Sequence, residues 1–183
     1  MKRLEEPTLH KSLIMAALLA LVALPAVPAS ARDLDGITKA EAALDAAWAD
    51  SPLAVRQAFF VDGEPGGFGV YKVRADSKFK AGEKLVTYAE PVGYNWKANT
   101  DGTYSFGFDV DLSIKSPDGK ELMSKADFAH LALTSHARNH EFMVILTLDL
   151  TGAGPGDYIA AYTLRDIASD KSTVINLPFS IVN

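Results

Sequence analysis

Hydrophobic and polar positions follow two periods along this chain. Over residues 37–49, Ile37, Ala40, Leu44, Ala47 and Trp48 recur at helical spacing within an alanine-rich run. Thr38 followed by Glu41 has the form of a capping box. Ser51-Pro52 reads as an N-cap followed by proline at a first helical position, so a second short helix is expected to about Phe60. Its Leu53, Val55, Ala58 and Phe59 would pack on the main body. Asp62-Gly63-Glu64-Pro65-Gly66-Gly67 is a turn cluster and the best internal boundary. Beyond it the period falls to two.

Residues 69–74 and 84–89 read as short strands separated by the turn at 79–83. The longest clean alternation follows. Tyr104, Phe106, Phe108, Val110, Leu112 and Ile114 point one way, while Ser105, Gly107, Asp109, Asp111, Ser113 and Lys115 point the other. That is a half-buried antiparallel strand with one wet face. Ser116-Pro117-Asp118-Gly119 is hairpin chemistry, and residues 120–123 would return from it. Residues 141–150 are apolar on both faces for most of their length, which predicts a central strand covered on both sides. After a glycine-proline turn, residues 157–165 and 172–182 give two further strands, with Pro178 marking an edge or a bulge. About seven strands with short turns and no βαβ alternation predict a mainly β, antiparallel β-sandwich with a short N-terminal helical segment.

One apolar run stands apart from this pattern. Leu13 to Leu24 is uninterrupted, follows Lys2, Arg3 and Lys11, and ends at Pro25 and Pro28 before Ala29-Ser30-Ala31. The order of basic, apolar and small residues is that of a signal peptide cleaved after Ala31, and the run is too short to span a membrane. The expected organisation is a signal peptide over 1–31, a helical segment over 32–62 and a β-sandwich over 63–183. Export to the periplasm is expected over release outside the cell, with no membrane anchor once the signal is cleaved.

Composition narrows the classes. The chain has no cysteine, which removes disulfide scaffolds, thiolate metal sites, cysteine nucleophiles and a lipidated cysteine. Removal of residues 1–31 takes three basic and two acidic residues from a formal charge of −5 and leaves −6. Nucleic acid is therefore a poor partner. No G-x-S-x-G elbow, phosphate-binding loop or dinucleotide fingerprint occurs, and no serine sits in a nucleophile context. Catalysis is not expected, and a hydrolase is the remotest reading.

The closing segment, with Pro155-Gly156-Asp157-Tyr158, a strand, Asp166, Lys171 and a last strand, resembles the final hairpin of immunoglobulin-like and fibronectin-III-like domains. The Phe79-x-x-Gly82-Glu83 turn is similar to the entry to their second strand. The likeness runs from about Gly69 to Val182. It implies a seven-stranded Ig-like β-sandwich in which Tyr158 anchors a corner by bonding upstream backbone. The paired cysteines of antibody domains are missing, and the likeness implies no activity. The chain also resembles small exported proteins of Gram-negative bacteria.

Three places carry candidate chemistry. Glu90, Tyr94, Asn95 and Trp96 lie in an aromatic and acidic stretch that could stack a sugar ring or anchor a partner protein, or could pack over the core or the helical head. A buried Glu90 would need a partner such as Arg74 or Lys97. His130, His136 and His140 fall within eleven residues and could hold copper or zinc, or could decorate a polar connection. Asp109 and Asp111 share the wet strand face, where carboxylates can do acid–base work, hold calcium or simply be solvated. The leading expectation is a non-catalytic exported binding or assembly module acting on an envelope protein or glycan through the 90–96 loop and an exposed sheet edge. The alternative is an exported copper- or zinc-binding protein using the histidines.

Overall fold

The computed structural model describes residues 29–183. The chain divides into two compact units, Met1–Thr38 and Lys39–Asn183, and every described strand belongs to the second. The signal-peptide reading of residues 1–31 lies outside the described residues except for Ala29, Ser30 and Ala31, which open helix α1 (Ala29–Asp50). Thr38 therefore sits within the helix and caps nothing. Trp48 is the helix's buried anchor, and Leu44 one turn earlier is left 47% exposed. The helix stops at Ser51 because Pro52 disfavours helical geometry in the residue before it. Ser51 then turns back on the last turn, donating from its amide to Trp48 O (3.2 Å) and from Oγ to Ala47 O (2.7 Å).

The helix expected over 51–60 is instead strand β1 (Ala54–Phe60). Its apolar residues fit both periods, and pairing with β3 (Lys84–Val92) decides for the strand. Phe60 enters the core beside Phe79 and Phe179, while Phe59 turns outward onto Tyr71 and Tyr88. The turn cluster at 62–67 thus lies between elements of one β unit and does not separate a helical domain from it. Residues 69–74 form no strand. They make two isolated bridges, Val61 with Val73 and Gly67 with Val70, and lay Tyr71 over Tyr88.

The fold is mainly β, with two sheets. The smaller has the order β1-β3-β7, where β7 is Val144–Asp149. The larger has the order β2-β9-β8-β5-β4, made from Lys78–Lys80, Ser172–Val182, Gly156–Asp166, Tyr104–Lys115 and Lys97–Ala98. Strand β6 (Glu121–Ser135) pairs with the other edge of β5. Among the described residues there are nine strands rather than seven, two of them only three and two residues long. The larger sheet is mixed, because β2 runs parallel to β9.

β5 has the boundaries and faces that its alternation predicts, and the 116–119 turn follows it. β7 is not a central strand: it forms an edge of the smaller sheet, with Val144, Leu146 and Leu148 buried and Thr147 and Asp149 exposed. Pro178 lies opposite Ile159, and β2 covers the far side of β9 only at Ser180–Val182, so the missing N–H falls on an uncovered edge.

One hydrophobic core joins the two sheets. Leu85, Ala89, Val144, Leu146 and Leu148 come from the smaller sheet, and Phe106, Phe108, Val110, Tyr162, Leu164 and Phe179 from the larger. Each large apolar side chain so buried contributes about 1.5–3 kcal/mol. Burial pushes the Tyr162 hydroxyl up to about 12. At the start of β8, Tyr158 donates its hydroxyl to Gly154 O at 2.9 Å and stacks on Phe179.

Candidate functional site

The 93–96 stretch is a fastening point between helix, loop and hairpin. Gly93 has φ 78°, and an added Cβ would stand 2.3 Å from Pro52 O, so only glycine lets these two segments cross. Tyr94 is fully buried, packed against Trp48, Phe106, Phe108 and Phe142. Its hydroxyl and Trp96 Nε1 both donate to Asn139 O, at 2.8 and 3.1 Å, and Trp48 Nε1 donates to Tyr94 O at 2.7 Å. Burial raises the Tyr94 hydroxyl's pKa, so it remains a donor. Trp96 is half-buried and stacks on Trp48. Tyr94 therefore offers no face to a ligand, and one face of Trp96 is already covered.

Two hairpin residues complete the fastening. Asp166, itself buried, accepts from the Asn95 amide (2.9 Å), the Ala168 amide (2.9 Å) and Ser169 Oγ (2.5 Å). The Lys171 ammonium reaches Ser51 O (2.8 Å), Gly93 O (2.9 Å), Ala49 O (3.2 Å) and Asn95 Oδ1 (3.2 Å). With these four contacts one ammonium caps the carbonyl end of α1 and ties it to the loop.

Glu90 belongs to a different cluster. It is buried on the outer side of β3, where the Tyr88 hydroxyl donates to it at 2.8 Å and itself accepts from the Gly69 amide. Burial, reinforced by the Glu90 carboxylate, pushes the Tyr88 hydroxyl up to about 12. Neither expected cation reaches Glu90: Arg74 pairs with Asp62, Asp76 and Glu83, and Lys97 is exposed.

The three histidines are not brought together. His130 lies mid-strand on β6, opposite Asp109, with Nδ1 2.6 Å from Asp109 Oδ1. His136 and His140 lie past the end of β6 and line a cleft of about 620 Å³ with Glu41, Asp45, Tyr104 and Arg138. At about 3.3 Å per residue, six positions of strand keep His130 out of that cleft. Among the described residues no three His, Cys, Asp or Glu side chains converge to hold a metal ion. In the cleft, Asp45 receives Arg138 (3.3 Å) on one oxygen and faces His140 Nε2 (3.1 Å) on the other. The second contact lacks hydrogen-bond geometry, because His140 Nε2 has no bonded partner. The imidazole is held edge-on to Trp48 and Trp96, and the Arg138 guanidinium lies over Tyr104.

The segment expected as a polar connection is the upper part of β6. This strand is fifteen residues long and, among the described residues, pairs only with β5. Its outer edge is open, and three apolar residues of the strand, Leu122 (51%), Met123 (45%) and Leu133 (43%), are exposed. The other free edges are shorter: β7 has six residues, β1 has seven with a register shift at Val55/Gln57, and β9 is uncovered only ahead of Ser180 and carries Pro178. The pairing of β6 with β5 shifts register twice, once at Leu122 near the start of the strand and once, more widely, further along. There three residues of β6, 126–128, lie between the partners of Val110 and Leu112, opposite Asp111 alone, and Asp127 adopts φ 49°. Arg165 pins this bulge by binding Asp111 (3.0 and 3.1 Å) and Asp127 (2.7 Å), while the Asp127 amide donates to Asp111 at 2.9 Å. These contacts account for the aspartates on the wet face as structural groups.

The Asp127 amide and then the Arg165 guanidinium hold the Asp111 carboxyl below the usual carboxylate range. A lowered folded pKa contributes stability that is present above the unfolded value and is lost as pH falls through the folded one. The bulge should therefore be ordered at neutral pH and loosen below the ordinary carboxylate range, seen as a loss of protection of the Asp127 amide relative to its intrinsic exchange rate at each pH. The Asp111→Asn variant should show that loss of protection already at pH 7.

No helix among the described residues is long and apolar enough to cross a membrane. No protein-family model matches the chain, and no curated protein matches it either.

Proposed function

We propose that this chain is a non-catalytic binding or assembly module of the immunoglobulin-like type, exported to the cell envelope, that takes a partner's extended strand onto the open edge of β6. The observation that carries the reading is that edge: a fifteen-residue strand with one side unpaired among the described residues and with apolar side chains beside it. Unpaired N–H and C=O groups along a strand edge are a template for strand addition, in which the main chain supplies affinity and alternate side chains supply selectivity. The Ig-like reading is supported by the facing sets β1-β3-β7 and β6-β5-β8-β9, and by Tyr158 bonding upstream backbone at the start of β8. Export rests on the basic, apolar and small-residue order of the first thirty-one positions. The 90–96 stretch contributes rigidity to the neighbouring end of the molecule, since its aromatic rings are engaged in packing.

The size of the chain's complex in envelope extracts tests this. Wild type should migrate well above the monomer. Ala132→Lys, a charge on the open edge, should bring it down to the monomer, and Val174→Lys, on exposed β9, should leave it unchanged. A wild-type chain already at monomer size, or an Ala132→Lys variant that migrates with wild type, would contradict the proposal.

A further inference from the structure

We infer that the strand added to β6 is β6 of a second copy of this chain, paired antiparallel about a two-fold axis through Ala132. This inference rests on the proposed role of the β6 edge and names its occupant.

The two halves of β6 differ. The first half is protected against pairing: it holds Lys125, and it ends at the bulge where Asp127 leaves the extended conformation. An edge lysine and a bulge are standard barriers to strand addition. The second half has neither. Residues 129–135 pair with residues 104–110 of β5 without any register shift and carry no Lys, Arg, Asp or Glu. The midpoint of this clean run is Ala132, which is exposed.

An isologous contact requires a surface that complements itself. Rotation about Ala132 sets Leu131 against Leu133, His130 against Thr134, and Ala129 against Ser135. No pair in this register opposes like charges. Leu133 lies opposite Phe106, whose ring is buried, yet remains 43% exposed at the open edge. The partner's Leu131 would cover it. Any other register shortens the ladder or forces Asp127 and Lys125 into it. The absence of carboxylates also matters for a chain that is acidic overall, since two such copies can meet along this run without apposing their excess charge.

The axis gives a sharp test, because the residue on it faces its own copy. Opposed residues in an antiparallel pair have Cα atoms about 4.5–5.5 Å apart, within the range a disulfide spans. The chain has no cysteine of its own, so a single substitution is informative. The purified exported chain should sediment as a dimer that dissociates on dilution. Ala132→Cys should oxidise to a disulfide-linked dimer, and Ser124→Cys, on the protected half, should not. Ala132→Lys should sediment as a monomer with an unchanged β-sheet circular dichroism spectrum. The inference is overturned by a wild-type monomer at every concentration, by equal oxidation of the two cysteine variants, or by a dimer that survives Ala132→Lys. If the purified chain is monomeric while its envelope complex still collapses on Ala132→Lys, the second copy is wrong and the edge-binding role stands. If neither is seen, both fail.

Discussion

Gly107→Ala should remove a large share of the chain's folding stability. Gly107 is the fourth residue of β5, opposite Ala132, with φ 146°. A Cβ at that position would lie 1.9 Å from Leu131 O and 2.9 Å from Ala132 Cα, so the obstruction is backbone and no rotamer relieves it. β5 cannot retreat, because its other edge holds β8 and its inner face carries Phe106 and Phe108. The Gly107 carbonyl also accepts the Ile167 amide at 3.2 Å. Backbone strain and a displaced strand together should cost about 4 kcal/mol or more, against a total of about 5–15 kcal/mol for a domain of ordinary stability. Urea unfolding of the soluble fraction measures this. A midpoint within experimental error of wild type would show that β5 and β6 approach less closely than described.

Lys171→Met should release the end of α1 from the body while the sheets persist. Methionine keeps most of the stem but none of the donors, and it leaves Ser51 O, Gly93 O and Ala49 O without their shared partner. A charged donor serving several carbonyls in a partly buried place is worth about 2–3 kcal/mol. The chain reports on this contact directly, because its two tryptophans, Trp48 on the helix and Trp96 on the loop, are stacked with centroids 5.8 Å apart. Their emission should shift to longer wavelength and become easier to quench in Lys171→Met, while the far-ultraviolet β signal stays. Unchanged tryptophan emission would mean that the Trp48, Tyr94 and Trp96 packing holds the helix without the lysine.

Those two positions differ in what the amino-acid sequence discloses. β5 is legible to the residue, since one face is buried and the other wet, and strict alternation follows. The turn at 116–119 and strands β8 and β9 are legible for similar reasons. β1 is not, because Leu53, Val55, Ala58 and Phe59 satisfy both a helical and a strand period, and only β3 decides between them. β6 is hidden for the opposite reason. Most of its residues are exposed on both faces, so no hydrophobic alternation marks them, and the pattern breaks again at the 126–128 bulge. The apolar run at 141–150 misleads because Ile145 is only half-buried on the outer face of an edge strand.

The candidate site was legible in parts. The aromatic residues at 94–96 stand out by composition, but their engagement depends on Asn139 and Trp48, more than forty positions away on either side. Lys171 gives no local signal, since its four acceptors lie at least 76 positions away in the chain. The histidines are close in sequence and separated in space because His130 sits on an extended strand and the others follow its end. The open edge of β6 is a property of strand order, which local patterning does not encode.

A photoreactive side chain placed at position 132 interrogates the open edge of β6 in intact cells. Illumination should give a crosslinked adduct from position 132 in high yield and little from position 174, the exposed control on β9. Equal yields at the two positions, or none at 132, would contradict a binding role for the β6 edge.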